Sequence, residues 1–368
     1  MQRESLALKM FEGIYIHIPF CEKKCPYCDF FSIESGDYKT YLELIAKEAK
    51  LYSHLQGKIK TMYFGGGTPS ILKPCEVKSL IDALGEIFDL SNLEEITIEC
   101  NPESYSIKDF EELSKTVNRV SFGIQTFSER GLKLLGRTHS PQRAKRAVMD
   151  AKNAGFENIN IDIIYAYPEQ TKEELLKDLE MALELEISHI SAYLLTIYED
   201  TLFELMVKRG DLKPFDEDRI EEFYILVDEF LTKSGFSHYE VCNFAKEGFE
   251  CRHNLIYWQN RPFLGLGASA GGFIQGIRYL NVKNLRLYEE LIRKGLRPVY
   301  SLEVLESREW LFDYVFCNLR TKMGIKRWFL PNLELPEDTY ISRDGNFKLS
   351  LKGWLLINEV LKTLREEL

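Results

Sequence analysis

The sequence predicts an α/β fold, a partial TIM-like barrel of six βα units, (β/α)6, followed by a small helical, winged-helix-like domain. Short apolar runs rich in β-branched residues alternate with amphipathic segments of helical period along residues 14–200. Glycines and charged residues fall where these apolar runs end, which is where parallel barrels hold their functional residues. The chain has 368 residues and is 45% hydrophobic, which is enough for one large domain and a smaller one.

The alternation begins with an apolar strand at residues 14–18 and a helix at 38–55. Further strands are expected at 59–64, 95–100, 119–125, 158–164 and 189–196. Helices are expected between them at 75–88, 106–116, 128–135, 141–154 and 171–186. Because parallel strands are joined by right-handed helical crossovers, this order predicts one parallel sheet.

We divide the chain into an N-terminal extension (1–13), a barrel core (14–200), a barrel-closing segment (201–283) and a C-terminal helical domain (284–368). The last part contains amphipathic helices at 284–295 and 307–319, and then a strand, a turn and a final helix from residue 347 onward. That final helix carries Glu359, Glu366 and Glu367, so it lacks the basic surface of a DNA-reading helix. We expect it to cover the barrel mouth or to contact a partner.

Composition excludes several classes of function. A net charge of -10 and a pI near 5.4 argue against a nucleic-acid-binding surface. No apolar run approaches the ~20 residues of a membrane span, and residues 1–13 lack the apolar core of a signal peptide. We therefore expect a cytoplasmic protein with scattered reduced cysteines at Cys75, Cys100, Cys242, Cys251 and Cys317.

The loop after the first strand concentrates three cysteines, Cys21, Cys25 and Cys28, in a C-x3-C-x2-C spacing. A structural zinc site takes four ligands, whereas three thiolates on a [4Fe–4S] cluster leave one iron open for a small molecule. The cluster is the preferred interpretation. Zinc with His17 or a distant cysteine as fourth ligand, and reduced core cysteines, are the alternatives.

Polar and glycine residues at the other strand ends predict a binding site at the same mouth. Gly65–Gly67 follow the second strand, Glu99 ends the third and Gln125 ends the fourth, while Asp162 lies near the end of the fifth. Arg137 follows in a loop. Glycines let the backbone approach a ligand closely, and carboxylates accept hydrogen bonds from ribose hydroxyls or an ammonium group. The alternative for each acid is a buried carboxylate that a backbone amide satisfies.

The cysteine loop, with Tyr27 before its third cysteine, resembles that of the radical S-adenosylmethionine (SAM) superfamily. The resemblance implies that SAM chelates the open iron and is cleaved by an electron from the cluster to a deoxyadenosyl radical. Six further motifs are similar to the oxygen-independent coproporphyrinogen III oxidase group: H-I-P-F-C at 17–21, G-G-G-T-P-S at 65–70, E-C-N-P at 99–102, S-F-G-I-Q-T-F at 121–127, L-G-R-T-H at 135–139 and I-D-I-I-Y-A-Y-P at 161–168. Carried over by position, the residues assigned to SAM are Tyr15, Phe30, Gly66, Gly67, Thr68, Glu99, Gln125, Arg137 and Asp162.

Two features separate the branches of that group. The dehydrogenase branch carries a further cysteine two positions after the third, whereas this chain has Phe30 there, as the haem-chaperone branch does. Residues 253–258 match that branch's H-N-x-x-Y-W motif, which implies haem binding by His253, Asn254, Tyr257 and Trp258. An imidazole nitrogen suits iron and the aromatic faces suit a porphyrin.

Several alternatives stay open at this motif. Cys251 is another candidate iron ligand. His253 could instead be a hydrogen-bonded histidine with the aromatic residues in the core. The group's usual G-A-G-A-H pattern is also broken at Ser269 and Gly271, which removes a supporting histidine.

The leading hypothesis is therefore a haem chaperone with a [4Fe–4S] cluster, SAM and haem as cofactors. It would pass haem to acceptor haemoproteins, take electrons from a flavodoxin or ferredoxin, and contact membranes peripherally through its acceptors. The alternative enzyme is an oxygen-independent coproporphyrinogen III dehydrogenase, which decarboxylates the substrate's propionates oxidatively with SAM. A third hypothesis is a zinc-bearing interaction protein.

Overall fold

The computed structural model describes residues 11–55, 57–330 and 335–367. Its largest unit is a twelve-stranded sheet, whose centre consists of six parallel strands in chain order. These strands are β1 (Gly13–Ile18), β2 (Thr61–Gly66), β3 (Glu95–Cys100), β4 (Arg119–Gln125), β5 (Asn158–Tyr165) and β6 (His189–Leu194). The helices between them are α1 (Tyr38–Lys50), α2 (Pro74–Gly85), α3 (Ile107–Leu113), α4 (Glu129–Leu134), α5 (Pro141–Asn153) and α6 (Lys172–Glu184). The predicted (β/α)6 arrangement is confirmed.

The rest of the sheet flanks this barrel on both sides. The further strands are β7 (Ser237–Glu240), β8 (Asn243–Ala245), β9 (Phe263–Leu266), β10 (Gly271–Ile274), β11 (Ile277–Asn281) and β12 (Val299–Val304). Strand β9 runs parallel to β1, and β10–β12 continue from it antiparallel, while β8 and β7 extend the sheet antiparallel from β6. The accompanying helices are α7 (Leu202–Arg209), α8 (Glu217–Lys233), α9 (Arg252–Trp258) and α10 (Leu285–Arg293).

The described chain ends in a small unit, a three-stranded antiparallel sheet with one helix before it and two helices after it in the sequence. Its elements are α11 (Ser307–Asn318), β13 (Ile325–Lys326), β14 (Tyr340–Arg343), β15 (Asn346–Leu349), α12 (Leu351–Leu355) and α13 (Ile357–Glu367). Single 3-10 turns lie at Pro69–Ile71, Arg327–Phe329 and Glu337–Thr339. The winged-helix-like prediction agrees with this mixture of helices and a small sheet.

The predicted domain boundaries stay predictions, and most of the N-terminal extension lies outside the described residues. Within the predicted C-terminal domain, α10 packs beside α1, and Tyr288 on α10 donates a 2.7 Å hydrogen bond to Glu48 on α1. Strand β12 belongs to the large sheet. The segment up to residue 304 therefore packs with the barrel side of the molecule.

Local hydrogen bonding explains where two predicted elements end. Helix α1 stops at Lys50, because the Leu51 and Tyr52 N–H groups bond back only three residues, to Glu48 and Ala49. Strand β2 starts at Thr61 instead of residue 59, since the Lys60 N–H donates to the Glu12 carbonyl 2.7 Å away before the ladder with β1 begins.

The barrel strands alternate apolar and polar residues, and most residues of both kinds are buried, so the sheet is covered on both faces. Ile14, Ile16 and Ile18 on β1 are fully buried, as are Phe64 on β2 and Val120 on β4. This rigid sheet fixes the loops at the carboxyl ends of its strands. Among the described residues, none of the helices combines the length and apolar composition that crossing a bilayer requires.

Candidate functional site

A cavity of about 390 Å³ opens at the carboxyl ends of the barrel strands. Of the residues predicted from the sequence, it is lined by Cys21, Cys25, Cys28, Phe30, Gly66, Gly67, Thr68, Glu99, Gln125, Arg137 and Asp162. Elements far apart in the chain thus meet at one place, as expected for the ends of parallel strands. The volume is within the range of small-molecule sites.

The cysteine loop is held closed at its base by backbone hydrogen bonds. The Cys21 N–H donates to the Ile33 carbonyl at 2.9 Å, and the Ile33 N–H donates to the Pro19 carbonyl at 2.7 Å. All three cysteines are free thiols and partly exposed. Burial raises the pKa of Cys28 to about 11, so a positively charged metal centre would be needed to hold it as thiolate at neutral pH.

Two side chains donate hydrogen bonds to the sulfur atoms of this loop. The Thr68 hydroxyl lies 3.5 Å from Cys21 Sγ, and Arg137 Nη1 lies 3.5 Å from Cys25 Sγ. Donors around sulfur are typical of iron–sulfur sites, where they tune the potential. Three free thiols with such donors therefore fit a [4Fe–4S] cluster. Within the described residues, no three His, Cys, Asp or Glu side chains already surround a single metal-ion position.

The glycine segment at the end of β2, residues 65–67, lies directly against the cysteine loop. The Gly67 N–H donates to the Ile18 carbonyl at 2.9 Å, and a Cβ on Gly67 would lie 2.8 Å from the Phe20 carbonyl oxygen. Gly66 has φ of +117°, and a Cβ there would lie 2.6 Å from the His17 ring. Both positions therefore require glycine.

His17, the alternative zinc ligand, is engaged elsewhere. Its Nε2 is 2.9 Å from the Phe31 carbonyl, and its Nδ1 is 3.0 Å from the Tyr15 hydroxyl. Burial lowers the pKa of His17 to about 4, so the ring is neutral. Tyr15 is the one predicted SAM residue that does not line the cavity. It lies behind the glycine segment, where a Cβ on Gly65 would meet its ring at 3.0 Å.

Two carboxylates form the acidic side of the cavity. Glu99 accepts hydrogen bonds from the Tyr63 hydroxyl at 2.9 Å and from the Gly66 N–H at 3.2 Å. Burial, with a contribution from nearby Asp162, raises the pKa of Glu99 to about 7. Burial also raises the pKa of Asp162, which accepts a 2.8 Å hydrogen bond from Asn160. Two acids held at this energetic cost suit a cationic ligand such as the ammonium and sulfonium groups of SAM.

A partly buried arginine, Arg137, joins the cluster side of the cavity to β4. Besides Cys25, Arg137 donates to Asn101 Oδ1 at 2.6 Å and to the Gly123 carbonyl at 2.8 Å. Gln125 follows an irregularity in β4 and has φ of +72°, which is unusual for a non-glycine residue. The sequence prediction did not include Asn101. It follows β3 directly in the E-C-N-P motif, so the strand-end rule would have identified it.

The predicted haem motif lies away from the cavity, on α9. His253 is fully buried, with Nδ1 2.6 Å from the Thr61 hydroxyl and Nε2 2.7 Å from the Tyr257 hydroxyl. Its ring stacks on Tyr63 at 5.3 Å between centroids. Burial lowers the pKa of His253 to about 3. Both ring nitrogens are therefore already used in this conformation.

The other motif residues are also in contact with protein. Cys251 is fully buried and donates to Glu95. Trp258 is partly buried and lies 5.8 Å from the Arg320 guanidinium, and Asn254 is partly buried. The structure thus brings the predicted SAM and cluster residues together but does not bring the predicted haem residues to the same cavity. Their assignment to haem stays a prediction.

Comparison with known proteins adds to this geometry. The sequence model of the Radical SAM superfamily matches residues 15–182. Proteins named heme chaperone HemW are similar over most of the chain. The one from Lactococcus lactis is 39% identical, with 84% of this chain and 82% of that protein covered. The one from Mycobacterium tuberculosis is 34% identical, with 96% and 94% covered.

One solved structure resembles the whole chain. It is the coproporphyrinogen III oxidase HemN from Escherichia coli, described as a radical SAM enzyme, with a TM-score of 0.82 and 21% identity. The match covers 99% of this chain and 92% of that one. It establishes a shared fold over the barrel and the C-terminal unit.

Proposed function

Since this chain belongs to the radical SAM superfamily and, within it, to the HemW family, we propose that it is a haem chaperone, a protein that binds haem and passes it to acceptor haemoproteins. Radical SAM proteins use SAM and a [4Fe–4S] cluster. The structural observation that supports the proposal is one cavity with three free thiols on one side and, on the other, two partly buried acids whose pKa values are raised by burial. Cys21, Cys25 and Cys28 would hold the cluster, which supplies an electron to SAM.

The residues of this cavity would orient SAM by charge and by hydrogen bonds. Glu99 and Asp162 would accept from its ammonium group or ribose hydroxyls. The Gly66–Gly67 backbone would let it approach the sheet closely. The Thr68 hydroxyl and Arg137 would remain on the cysteine sulfur atoms, where they stabilise thiolate charge.

The haem ligand is the part of the proposal that needs the sharpest test. If His253 binds iron, its Nε2 must first leave the Tyr257 hydroxyl, 2.7 Å away. Tyr257→Phe removes this partner and keeps the aromatic ring, so haem binding should become tighter and keep a histidine-ligated spectrum. Thr61→Val is the matched control, because it releases Nδ1 instead. A Soret titration of anaerobically reconstituted protein measures both variants.

A surface near the cluster supports the proposed electron donor. Lys23 and Lys24 are exposed in the cysteine loop of a chain whose net charge is -10. These two ammonium groups, which stand in the same loop as Glu22 and Asp29, would pair with carboxylates of an acidic flavodoxin or ferredoxin near the cluster. Acceptor haemoproteins anchored in a membrane would bring this chain to the membrane surface peripherally.

The rival function is coproporphyrinogen III dehydrogenase, whose fold this chain shares. Phe30 occupies the position of that branch's further cysteine, and its side chain is 62% exposed at the cavity mouth. We expect no decarboxylation of coproporphyrinogen III by the reconstituted protein with SAM and a reductant under anaerobic conditions. Saturable haem binding without that activity supports the chaperone. Decarboxylation without haem binding would replace it with the dehydrogenase.

A further inference from the structure

The amino ends of the barrel strands carry a layer of buried polar side chains, at the opposite end of the strands from the SAM cavity. The first residues of β2, β3, β4 and β6 are all polar and at most 3% exposed: Thr61, Glu95, Arg119 and His189. Buried polar groups need hydrogen-bond partners within the fold. Helix α9, which carries the H-N-x-x-Y-W motif, lies against this layer and provides partners for two of them.

Glu95 holds the amino end of α9. Its Oε2 accepts a 3.0 Å hydrogen bond from the Arg252 N–H, and its Oε1 accepts a 3.0 Å hydrogen bond from the His253 N–H. The first N–H groups of a helix are usually satisfied by the side chain of the preceding residue, but Cys251 does not cap α9 and instead lies 3.6 Å from Glu95 Oε1. A carboxylate from β3 therefore replaces the local cap, and its negative charge complements the helix dipole.

The bond that blocks the iron-binding nitrogen lies further along the same helix. His253 Nε2 is 2.7 Å from the Tyr257 hydroxyl, and both residues belong to α9. The bonds to Glu95 come from the backbone at the start of the helix. Moving Tyr257 away from Nε2 thus breaks none of the hydrogen bonds to Glu95, so α9 can open at Tyr257 while its amino end stays on the barrel.

We propose that Glu95 is a positioning residue for haem, which keeps the backbone of His253 on the barrel while Nε2 leaves Tyr257 and binds iron. This inference rests on the proposed haem-chaperone function and adds a residue outside the H-N-x-x-Y-W motif. A ligand whose backbone is already fixed loses less conformational freedom on binding than one at a loose helix end. Haem then binds at the amino end of the barrel, while SAM occupies the carboxyl end.

Haemin titration of the full-length, anaerobically reconstituted protein, followed by its Soret band, tests the role of Glu95. Glu95→Gln keeps the size of the side chain but loses the charge and one of the two acceptors, so the dissociation constant for haemin should rise about tenfold. Glu94→Gln is the matched control, because Glu94 is the neighbouring acid, is 46% exposed and pairs with the Arg252 side chain instead of the helix backbone. It should leave the dissociation constant unchanged.

Three readouts distinguish positioning from a general loss of stability. Cluster absorbance and SAM binding of haem-free Glu95→Gln should match wild type, since the SAM cavity lies at the other end of the strands. The electron paramagnetic resonance signal of histidine-ligated ferric haem should decrease in Glu95→Gln, and added imidazole should restore it by supplying the missing nitrogen. Glu95→Asp keeps the charge with a shorter reach, so its dissociation constant should lie between those of wild type and Glu95→Gln.

The outcomes separate this inference from the proposed function. If wild-type protein fails to bind haemin saturably, the haem-chaperone proposal itself is wrong. If wild type binds haemin and His253→Ala shows the same affinity and spectrum, haem is held elsewhere, and this inference is overturned while the proposed function stands. A wild-type dissociation constant in both Glu95→Gln and Glu95→Asp overturns it as well. Weaker binding with full cluster absorbance and rescue by imidazole supports it.

Discussion

Replacing Gly66 by alanine tests whether the glycine segment must lie against the cysteine loop. The new Cβ would sit 2.6 Å from the His17 ring, and Gly66 has φ of +117°, a region that only glycine adopts readily. His17 cannot move away easily, because it is buried and hydrogen-bonded through both ring nitrogens. The perturbation therefore combines backbone strain with steric overlap.

The two contributions can be separated with a matched variant. Gly155 has φ of +95° with nothing within 4 Å of its Cβ position, so Gly155→Ala carries only the backbone strain, about 1–3 kcal/mol. Gly66→Ala adds overpacking of about 1–3 kcal/mol. It also moves the N–H that donates to Glu99 at 3.2 Å. Loss of this hydrogen bond would disfavour the ionised carboxylate of Glu99 by about 1.5–3 kcal/mol. Because that carboxylate would bind cationic SAM, SAM affinity should fall at least about tenfold.

Denaturant unfolding monitored by circular dichroism measures the stability of both variants. Equilibrium dialysis with labelled SAM on the anaerobically reconstituted proteins measures the affinity. Gly155→Ala should lose stability and keep SAM binding. Equal stability losses in the two variants, together with wild-type SAM affinity in Gly66→Ala, would refute the close packing of Gly66 on His17 as a requirement of the site.

Three further predictions concern single side chains. Arg137→Met removes the donor 3.5 Å from Cys25 Sγ, so the cluster's reduction potential, measured by electron paramagnetic resonance titration, should become more negative. The pKa of Glu99 is about 7 in the folded protein and 4.5 for a free carboxyl. Between these pH values the folded state binds more protons than the unfolded state, so the free energy of unfolding falls as the pH rises from 4.5 to about 7. Ionised Glu99 favours cationic SAM, so SAM affinity should rise from about pH 6 to about pH 8 in wild type and less in Glu99→Gln. His253→Ala leaves the Thr61 and Tyr257 hydroxyls without their partner and should lower the free energy of unfolding by about 2–4 kcal/mol. Asn254 is only partly buried, so Asn254→Ala should lower it by less than about 1 kcal/mol. Equal losses in the two variants would contradict the burial of His253.

The barrel and the main cavity were predictable because their determinants are local in sequence. Each strand end carries its own signal, such as Gly66 at the end of β2 or Asp162 in β5, and the parallel order then brings these ends together without further information. The three cysteines are adjacent in the chain. The sequence prediction missed Asn101, whose local signal is its position directly after β3. Its hydrogen-bond partner Arg137 lies 36 residues further along the chain.

The sheet extension and the haem motif depend on contacts between distant parts of the chain. No local pattern shows that β9 pairs with β1, since residues 263–266 and 13–16 are joined only by the fold. The surroundings of His253 are likewise set by Thr61 and Tyr63 on β2. The H-N-x-x-Y-W motif indicates haem by residue type alone. It therefore could not reveal that both ring nitrogens of His253 already have hydrogen-bond partners.

The predicted haem motif on α9 is linked to the SAM cavity through one side chain. Tyr63 connects His253 to that cavity, because its ring stacks on the imidazole while its hydroxyl donates to Glu99 at 2.9 Å. Any movement of α9 that frees His253 for iron would remove the stacking partner of Tyr63 and disturb the hydrogen bond that holds Glu99. Haem binding through His253 should therefore weaken SAM binding, and bound SAM should weaken haem binding by the same factor.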